Sequence, residues 1–430
     1  MSNTNNAEAE MAPSLADSTR VWWKIGILSF GGPAAQIALM HKEVVDDRKW
    51  LSEQQFLNAL SFCMLLPGPE AMQLATYTGW RLHGTIGGLI AGLLFVIPGA
   101  LVIMSLAVIY SIFGNVPLVE ALFYGIKAAV LVIVVEALLR VAKKALAQRQ
   151  DWIIAGAAFV GIFFLAIPYP LIVLVAGFYG WITATTQLER NLVDMTHVSV
   201  LKTAGTVIFW LAVWLLPLLA LTWVGAPDLV VEVGIFFSTL AIVTFGGAYA
   251  VLAYMAQDVV LQFGWLTAGE MIDALGLAET TPGPLILVTQ FVGFLAGFER
   301  GGLGLGMFTA LVALWMTFTP CFLWIFTGAP YIEWISNQPR LQGALKAITA
   351  AVVGVILNLS LWFGLHVLFG TVTHVKRGPI TLWLPEFATI EWLALLLFGL
   401  SCVLAFRLHW GIIRILLIAS VLGTVLRLLM

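Results

Sequence analysis

Long, almost wholly apolar blocks, each about as long as a bilayer is thick, constrain this chain more than any other feature. Gly84–Phe113, Pro117–Leu139, Trp152–Ile167, Leu171–Ala184, Thr203–Trp223, Leu341–Phe369 and Gly411–Met430 are such blocks. A span takes roughly 20 apolar residues, with a range of about 17–25, and most blocks reach that length. Of the 430 residues 61% are hydrophobic and only 10% charged, against about 25% charged in a soluble domain. Too few charges remain to cover a water-soluble fold. The expected class is therefore an all-α polytopic membrane protein whose first partner is the lipid bilayer.

The polar, acidic opening MSNTNNAEAE has no basic stretch ahead of a short apolar run. No cleavable signal peptide is expected, and 1–20 read as a cytoplasmic N-terminal segment. A net charge of −2 offers no basic footprint for nucleic acid. Cys63, Cys321 and Cys402 lie far apart in apolar segments, without metal or redox spacing; no metal or cofactor is expected.

Internal similarity carries more information. Phe30-Gly31-Gly32 recurs as Phe245-Gly246-Gly247, Trp50-Leu51 as Trp265-Leu266, and Pro67-Gly68-Pro69 as Pro282-Gly283-Pro284. Each pair is 215 positions apart (245 − 30, 265 − 50, 282 − 67). Pro98 and Pro320, then Lys127 and Lys346, keep the same order in looser register. The chain thus reads as a duplication: a first repeat over 21–186, a linker plus a single apolar helix over 187–228, and a second repeat over 229–430. Each repeat starts with two interrupted segments, about 21–40 and 54–80 in the first. The one unpaired crossing between the copies reverses the second, an inverted-topology repeat.

Charge supports the inversion. Loop His41–Trp50 carries Lys42, Arg48 and Lys49, whereas its counterpart Gln257–Gly264 carries no Lys or Arg. Basic residues mark the cytoplasmic side. Lys143, Lys144, Arg149, Arg190 and Lys202 fall inside in this scheme, and Lys376 and Arg377 outside, against the rule. The same rule favours re-entrant helical hairpins turning at Gly31-Gly32-Pro33 and Pro67-Gly68-Pro69, with discontinuous spans as the alternative.

Non-helical backbone inside a bilayer must be buried in protein or line a wet cavity. Pro69 and Pro284 suit the first turn of a helix, where a missing N–H costs nothing. Each motif is expected to open a half-helix whose free N–H groups and partial positive charge make an anion site. The candidate substrate-binding residues are Gly31, Gly32, Pro33, Pro67, Gly68, Pro69 and Gln73, with Gly246, Gly247, Pro282, Gly283 and Pro284 in the second half. Lys127 and Lys346 join them as intramembrane cations, although Lys346 is near enough to a segment end to snorkel. Glu70 and Glu279 are candidate coupling or gating carboxylates, or else simple partners of a helix dipole; Leu285 and Met64 take their places in the other half. Thr76, Thr289 and Gln290 could donate to an oxyanion or to neighbouring helices. Glu136 and Arg140, spaced i,i+4, are expected to pair with each other. The sequence has no Walker loop, zinc-protease motif, paired aspartates or Cys/His cluster, so gradient-driven transport is expected, not catalysis.

The run FGGPAAQIALMHKEVV, followed by WLSEQQFLNALSFCMLLPGPEAMQLATYTGW, resembles the chromate ion transporter family. The strings TFGGAYAVLAYMAQ and TPGPLILVTQFVGFLAG are similar to the second halves of its long-chain, duplicated members. The resemblance covers residues 20–370. Phe30, Gly31, Gly32, Pro33, Gln36, Pro67, Gly68, Pro69, Gln73 and Gly79 fall on its motifs, as do Gly246, Gly247, Pro282, Gly283 and Pro284. Ala248 stands where the first copy has Pro33, so the two turns need not be equivalent. The resemblance implies chromate export across the bacterial inner (plasma) membrane, chromate resistance, and sulfate as a competing structural analogue. Energetics agree on direction. A dianion leaving a negative interior gains about 4.6 kcal/mol per 100 mV, whereas import would need more than two accompanying cations, and the sequence offers only Glu70 and Glu279 as deep carboxylates. The alternatives are uptake or exchange of sulfate or another oxyanion, and a non-transporting membrane receptor or assembly factor. A homodimer is compatible with all of these.

Overall fold

A computed structural model describes residues 13–429 except Asn115, 185–199, Gly246 and Asn337. Gly246, Arg190, most of the expected N-terminal segment and the first part of the linker therefore lie outside the described residues. Those described form sixteen α-helices and one β-hairpin.

The duplicated sequence makes duplicated local structure. Helix α1 (Leu15–Leu28) precedes α2 (Gly32–His41), which runs into a π-helical turn at Lys42–Asp47. In the second half α9 (Asp228–Val243) precedes α10 (Ala248–Gln257), which runs into a π-helical turn at Asp258–Gln262. Helix α3 (Glu53–Leu65) starts on a capping box, Ser52 with Gln55, and α11 (Ala268–Thr280) on Thr267 with Glu270. In each box the hydroxyl accepts the third residue's N–H while that residue's side chain accepts the cap's own N–H.

The Pro-Gly-Pro motifs lie between helices, as expected, but each second proline sits one place earlier than expected. Pro69 is the N-cap of α4 (Glu70–Phe113), and Pro284 precedes a 3-10 turn, Leu285–Leu287, that leads into α12 (Val288–Gly328). Both long helices double back on themselves, α4 at His83–Gly84 and α12 at Gly301–Gly302. The arms of α4 touch so closely that a Cβ on Gly79 would lie 2.3 Å from the Gly87 carbonyl oxygen.

Among the described residues six elements are long and apolar enough to cross a bilayer: Glu70–Phe113, Pro117–Ala145 (α5), Val200–Trp223 (α8), Leu285–Tyr331, Pro339–Leu368 (α14) and Ile412–Leu429 (α16). Helices α6 (Arg149–Phe163) and α7 (Tyr169–Thr183) have 15 residues each, about 22 Å at 1.5 Å per residue. A bilayer core is about 30 Å thick, so these blocks fall short of it. Helix α13 (Ile332–Ser336) is a single short turn, and α15 (Trp392–Cys402) ends in a π-helical turn.

The halves interleave. Helix α5 packs on α16 and α14, and α14 also packs on α6 and α7. Small residues allow these crossings: a Cβ on Gly125 would lie 2.0 Å from Ala419 O, and one on Gly180 2.2 Å from Gly343 O. Helix α8, the unpaired block, lies at the periphery with Trp210 and Trp214 turned inward. Residues such as Leu201, Leu174 and Trp223 stay exposed, which suits a lipid-facing surface, where burial of apolar groups against water is not required.

One element departs from the all-α expectation. Val372–Arg377 and Ile380–Pro385 pair as an antiparallel hairpin, with Val372 opposite Pro385 and Arg377 opposite Ile380. It turns at Gly378, whose φ is 61°, and it carries Lys376 and Arg377 clear of the apolar helices. The Val-Thr-His-Val and Ile-Thr-Leu-Trp runs have the β-branched and aromatic content that favours strands.

Candidate functional site

The interrupted segments of both halves meet. The Gly68 N–H donates to the Thr244 carbonyl at 2.8 Å, and the Gly283 N–H donates to the Ser29 carbonyl at 2.9 Å. Ser29 and Thr244 are repeat equivalents, as are Gly68 and Gly283, so each half gives the other the same hydrogen bond. Both glycines hold φ values that disfavour a side chain, 119° and 87°. These two amides, which precede the helix starts, are thus already bonded across the halves.

What remains is a cavity of about 10 Å³ lined by Pro33, Gln36, Gly68, Pro69, Glu70 and Ala71 from the first half. Gly247, Ala248, Pro284, Leu285 and Ile286 complete it from the second. The first-turn amides of α4 and α10 lie on this wall, and such amides lack intrahelical partners. The space suits about one water. It is several times too small for an oxyanion of five heavy atoms.

Side chains stitch the site together. The Gln36 amide, fully buried, donates to Gly283 O at 2.6 Å and Ser29 O at 3.3 Å. Gln73 donates to Pro67 O at 2.6 Å. The hydroxyls of Thr76 and Thr289 are spent on their own helices, on Met72 O and Ile286 O. The two candidate gating carboxylates converge on the first turn of α10. A Cβ on Gly247 would lie 3.9 Å from Glu70 Oε1, and Tyr249 donates its hydroxyl to Glu279 Oε1 at 2.6 Å. Glu279 Oε2 is buried without a partner. A helix N-terminus favours negative charge, and Glu70 Oε1 lies near the start of α10.

Several expected residues lie elsewhere. Gly31 lines a separate groove with Glu136 and Arg140, which pair at 2.6 Å as their spacing requires. Gly32 carries a φ of 77° at the start of α2, and the Pro282 carbonyl packs against Gly99. Lys127 and Lys346 are absent from the residues lining the small cavity. Each pairs instead with a buried aspartate of the other half: Lys127 Nζ lies 3.2 Å from Asp273 Oδ2, and Lys346 Nζ 3.6 Å from Asp151 Oδ1. Asp273 and Asp151 are 3% and 4% exposed, so Glu70 and Glu279 are not the only deep carboxylates. Sequence reasoning missed both aspartates because Asp273 sits in a short helix whose burial comes from long-range packing and Asp151 at a helix start, where acids are common.

The repeat also exposes a difference outside the spans. Glu43 is bonded by Lys24 at 2.6 Å and by Arg48. Burial pushes its carboxyl up, but these two cations more than offset that and leave it below its ordinary range. Its repeat equivalent is Asp258, and the positions of Lys24 and Arg48 are taken by Thr239 and Phe263. Burial pushes the Asp258 carboxyl up to about 6. Asp258 lines a cavity of about 1160 Å³ together with Asp228, Glu232 and Arg300. Three acids against one guanidinium make that cavity a poor host for a dianion.

Among the described residues no group of three or more His, Cys, Asp or Glu side chains is placed to hold a metal ion. Cys63 and Cys321 are buried thiols, and Cys402 is partly so.

Comparison with known proteins adds an independent line. The sequence profile described as "Chromate transporter" matches residues 16–181 and 231–424. The chain is 33% identical over 339 residues to the "Chromate transport protein" of Pseudomonas aeruginosa, covering 77% of each chain. It is 28% identical over 390 residues to the "Probable chromate transport protein" of Synechococcus elongatus, covering 87% of this chain and 93% of the relative. A "Chromate transport protein" of Cupriavidus metallidurans is 27% identical over 339 residues, 77% of this chain and 78% of the relative. No solved structure gives a significant match.

Proposed function

The chain belongs to the chromate transporter family, and from that membership we propose that it is a secondary transporter exporting chromate across the bacterial inner membrane. The membrane potential or an ion gradient drives it, and the consequence for the cell is chromate resistance. The observation that carries the reading is the convergence of broken-helix starts from both halves on one small cavity, closed by reciprocal hydrogen bonds between the halves. Such an arrangement suits a tetrahedral oxyanion held by backbone N–H groups at helix N-termini. The candidate binding residues remain Gly31, Gly32, Pro33, Pro67, Gly68, Pro69 and Gln73, with Gly246, Gly247, Pro282, Gly283 and Pro284. Lys127 and Lys346 act once released from their aspartates. Glu70 and Glu279 act as gates, because Glu70 must leave the α10 N-terminus before an anion can take its place.

The two repeats, 21–186 and 229–430, are proposed to be inverted about an axis in the membrane plane, with 187–228 as the inverting segment. The repeated elements and the basic loop at 41–50 support this, and alternating access would then be a rocking of one half against the other. Export follows the field: each charge is worth about 2.3 kcal/mol per 100 mV, so a dianion leaves a negative interior downhill.

The deciding measurement is radiolabelled chromate movement in everted membrane vesicles, with and without an imposed potential, for wild type and Lys127→Ala. Uptake that follows the potential, falls with added sulfate and is lost in the variant is the expected result. Sulfate uptake by right-side-out vesicles, with no chromate movement in everted ones, would overturn export of chromate in favour of oxyanion import.

A further inference from the structure

Helices α7 and α16 end the two copies, and each starts beside the first break of the opposite copy. At the start of α7 the Tyr169 hydroxyl reaches Phe245 O at 3.5 Å. At the start of α16, Trp410, Gly411, Ile412, Ile413 and Arg414 line a groove of about 620 Å³ with Phe30 and Gly31. The two places differ in charge. Tyr169 lines the cavity that holds Asp228, Glu232, Asp258 and Arg300, where acids prevail. The groove at α16 sets the guanidiniums of Arg140 and Arg414 against the single carboxylate of Glu136. Matching places in the duplication therefore carry opposite net charge.

The two arginines have donors to spare. A guanidinium carries five N–H donors in a planar fork that fits two oxygens of an anion. Arg140 donates through Nη2 to Glu136 Oε1 at 2.6 Å. Among the described residues its side chain has no other hydrogen bond, and the Arg414 side chain has neither a hydrogen bond nor an ion pair. Both stay exposed. Arg140 is also close enough to Glu279 and Tyr249 to interact electrostatically with both, which ties the groove to the carboxylate near the small cavity. Gly31, on the groove wall, is the N-cap of α2. The groove is many times the roughly 30 Å³ share of one water, so a hydrated oxyanion has room.

We propose that Arg140 and Arg414 form a capture site for a tetrahedral oxyanion, the place where the transported dianion first binds. Charge-assisted hydrogen bonds from the two guanidiniums to the anion's oxygens hold it, and it competes with Glu136 for Arg140. In the inverted arrangement the groove faces the cytoplasm, together with Lys143 and Lys144 in the last turn of α5, and the acidic cavity faces outward. The fixed charges then raise affinity for the dianion inside and lower it outside, while the membrane potential supplies the driving force. That directional consequence rests on the transport reading above; the capture site itself does not. The phosphate of a lipid headgroup shares this oxyanion chemistry, so the test must tell the two apart.

Binding of labelled chromate to the purified full chain, in uncharged detergent at fixed ionic strength, examines the site without requiring transport. Arg414→Gln removes no hydrogen bond or ion pair of the fold and is expected to weaken binding about tenfold, as loss of one charged hydrogen bond does. Arg414→Lys should recover part of it. Arg407→Gln removes a charge from the turn before α16, outside the groove, and should leave binding unchanged. Equal weakening by the Arg414→Gln and Arg407→Gln variants, or none by Arg414→Gln, overturns the site. Sulfate should displace the label at concentrations where a soluble short-chain phosphatidylglycerol does not; the reverse order assigns the groove to a lipid headgroup and overturns capture of a free anion. Initial rates in everted vesicles are measured alongside, where Arg414→Gln should raise KM for chromate with kcat unchanged. Chromate bound by wild type without uptake would refute the transport reading and leave the capture site standing. Uptake with an unaltered KM in Arg414→Gln would refute the site and leave transport standing.

Discussion

At the scale of the residue, Lys127 shows how one side chain is read differently from sequence and from structure. A lysine deep in an apolar block points to a functional cation, yet its ammonium faces Asp273 rather than the small cavity. Removing one partner of a buried pair leaves the other charge uncompensated, typically at a cost of about 3–5 kcal/mol. Lys127→Ala is therefore expected to lower the thermal unfolding temperature as well as transport, and the double variant with Asp273→Asn to recover stability but not transport. Dye-based melting curves on purified protein check the first part; equal melting of the single variant and wild type would argue against a buried pair. Asp258 predicts the opposite sign. An acid whose folded pKa is raised to about 6 binds protons more tightly folded than unfolded, so stability falls as pH rises from its ordinary range, about 3.9, through about 6. Asp258→Asn should stabilise the chain at neutral pH, by about 1–2 kcal/mol after discounting for partial exposure, and have little effect near pH 4. A melting gain of the same size at both pH values would contradict this.

At the scale of the element, the Pro-Gly-Pro turns and the doubled-back helices are where single atoms decide the outcome. A Cβ on Gly68 would lie 2.8 Å from Gln73 Nε2, which Pro67 holds in place, and 3.1 Å from Cys321 Sγ. At Gly283 the tightest neighbour is the mobile end of Leu287, at 3.0 Å. Both substitutions to Ala strain a left-handed backbone, at about 1–3 kcal/mol, but Gly68→Ala adds a steric conflict that cannot be relieved cheaply. It is expected to reduce folded yield and transport more than Gly283→Ala does, as size-exclusion profiles and vesicle uptake would register. Gly79→Val drives a branched side chain into the Gly87 carbonyl and should prevent the arms of α4 from closing, leaving little monodisperse protein. A well-folded Gly79→Val variant would mean that the arms separate freely.

At the scale of the whole molecule, the prediction concerns sidedness. If the halves are inverted, single cysteines placed in the 41–50 and 257–264 loops, in a chain whose three cysteines are replaced, should react with a membrane-impermeant reagent from opposite faces. Labelling of both from one face would rule out the inversion. The interleaving of α5, α14 and α16 means that any rocking must move packed helices past one another, so cross-linking α5 to α11 is expected to arrest transport without unfolding the chain.

Apolar blocks, the 215-residue offset and the Gly and Pro punctuation determined much by themselves: a helical membrane protein, two related halves, breaks near 29–31 and 66–69 and at their copies, and family membership. These follow from local chemistry, because bilayer length, capping and turn geometry depend on residues near one another in the chain. The tertiary structure alone decided which groups meet: Lys127 with Asp273, Lys346 with Asp151, Glu70 and Glu279 at the first turn of α10, and the motif amides of Gly68 and Gly283 already bonded across the halves. A buried charge chooses its partner from whatever the packing brings within a few ångströms, and that neighbour can lie anywhere in the chain. The same holds for asymmetry. Equivalent positions in α3 and α11 start on the same kind of capping box, and only the packing of the whole chain leaves polar side chains of α3 exposed while burying α11 from Met271 to Glu279.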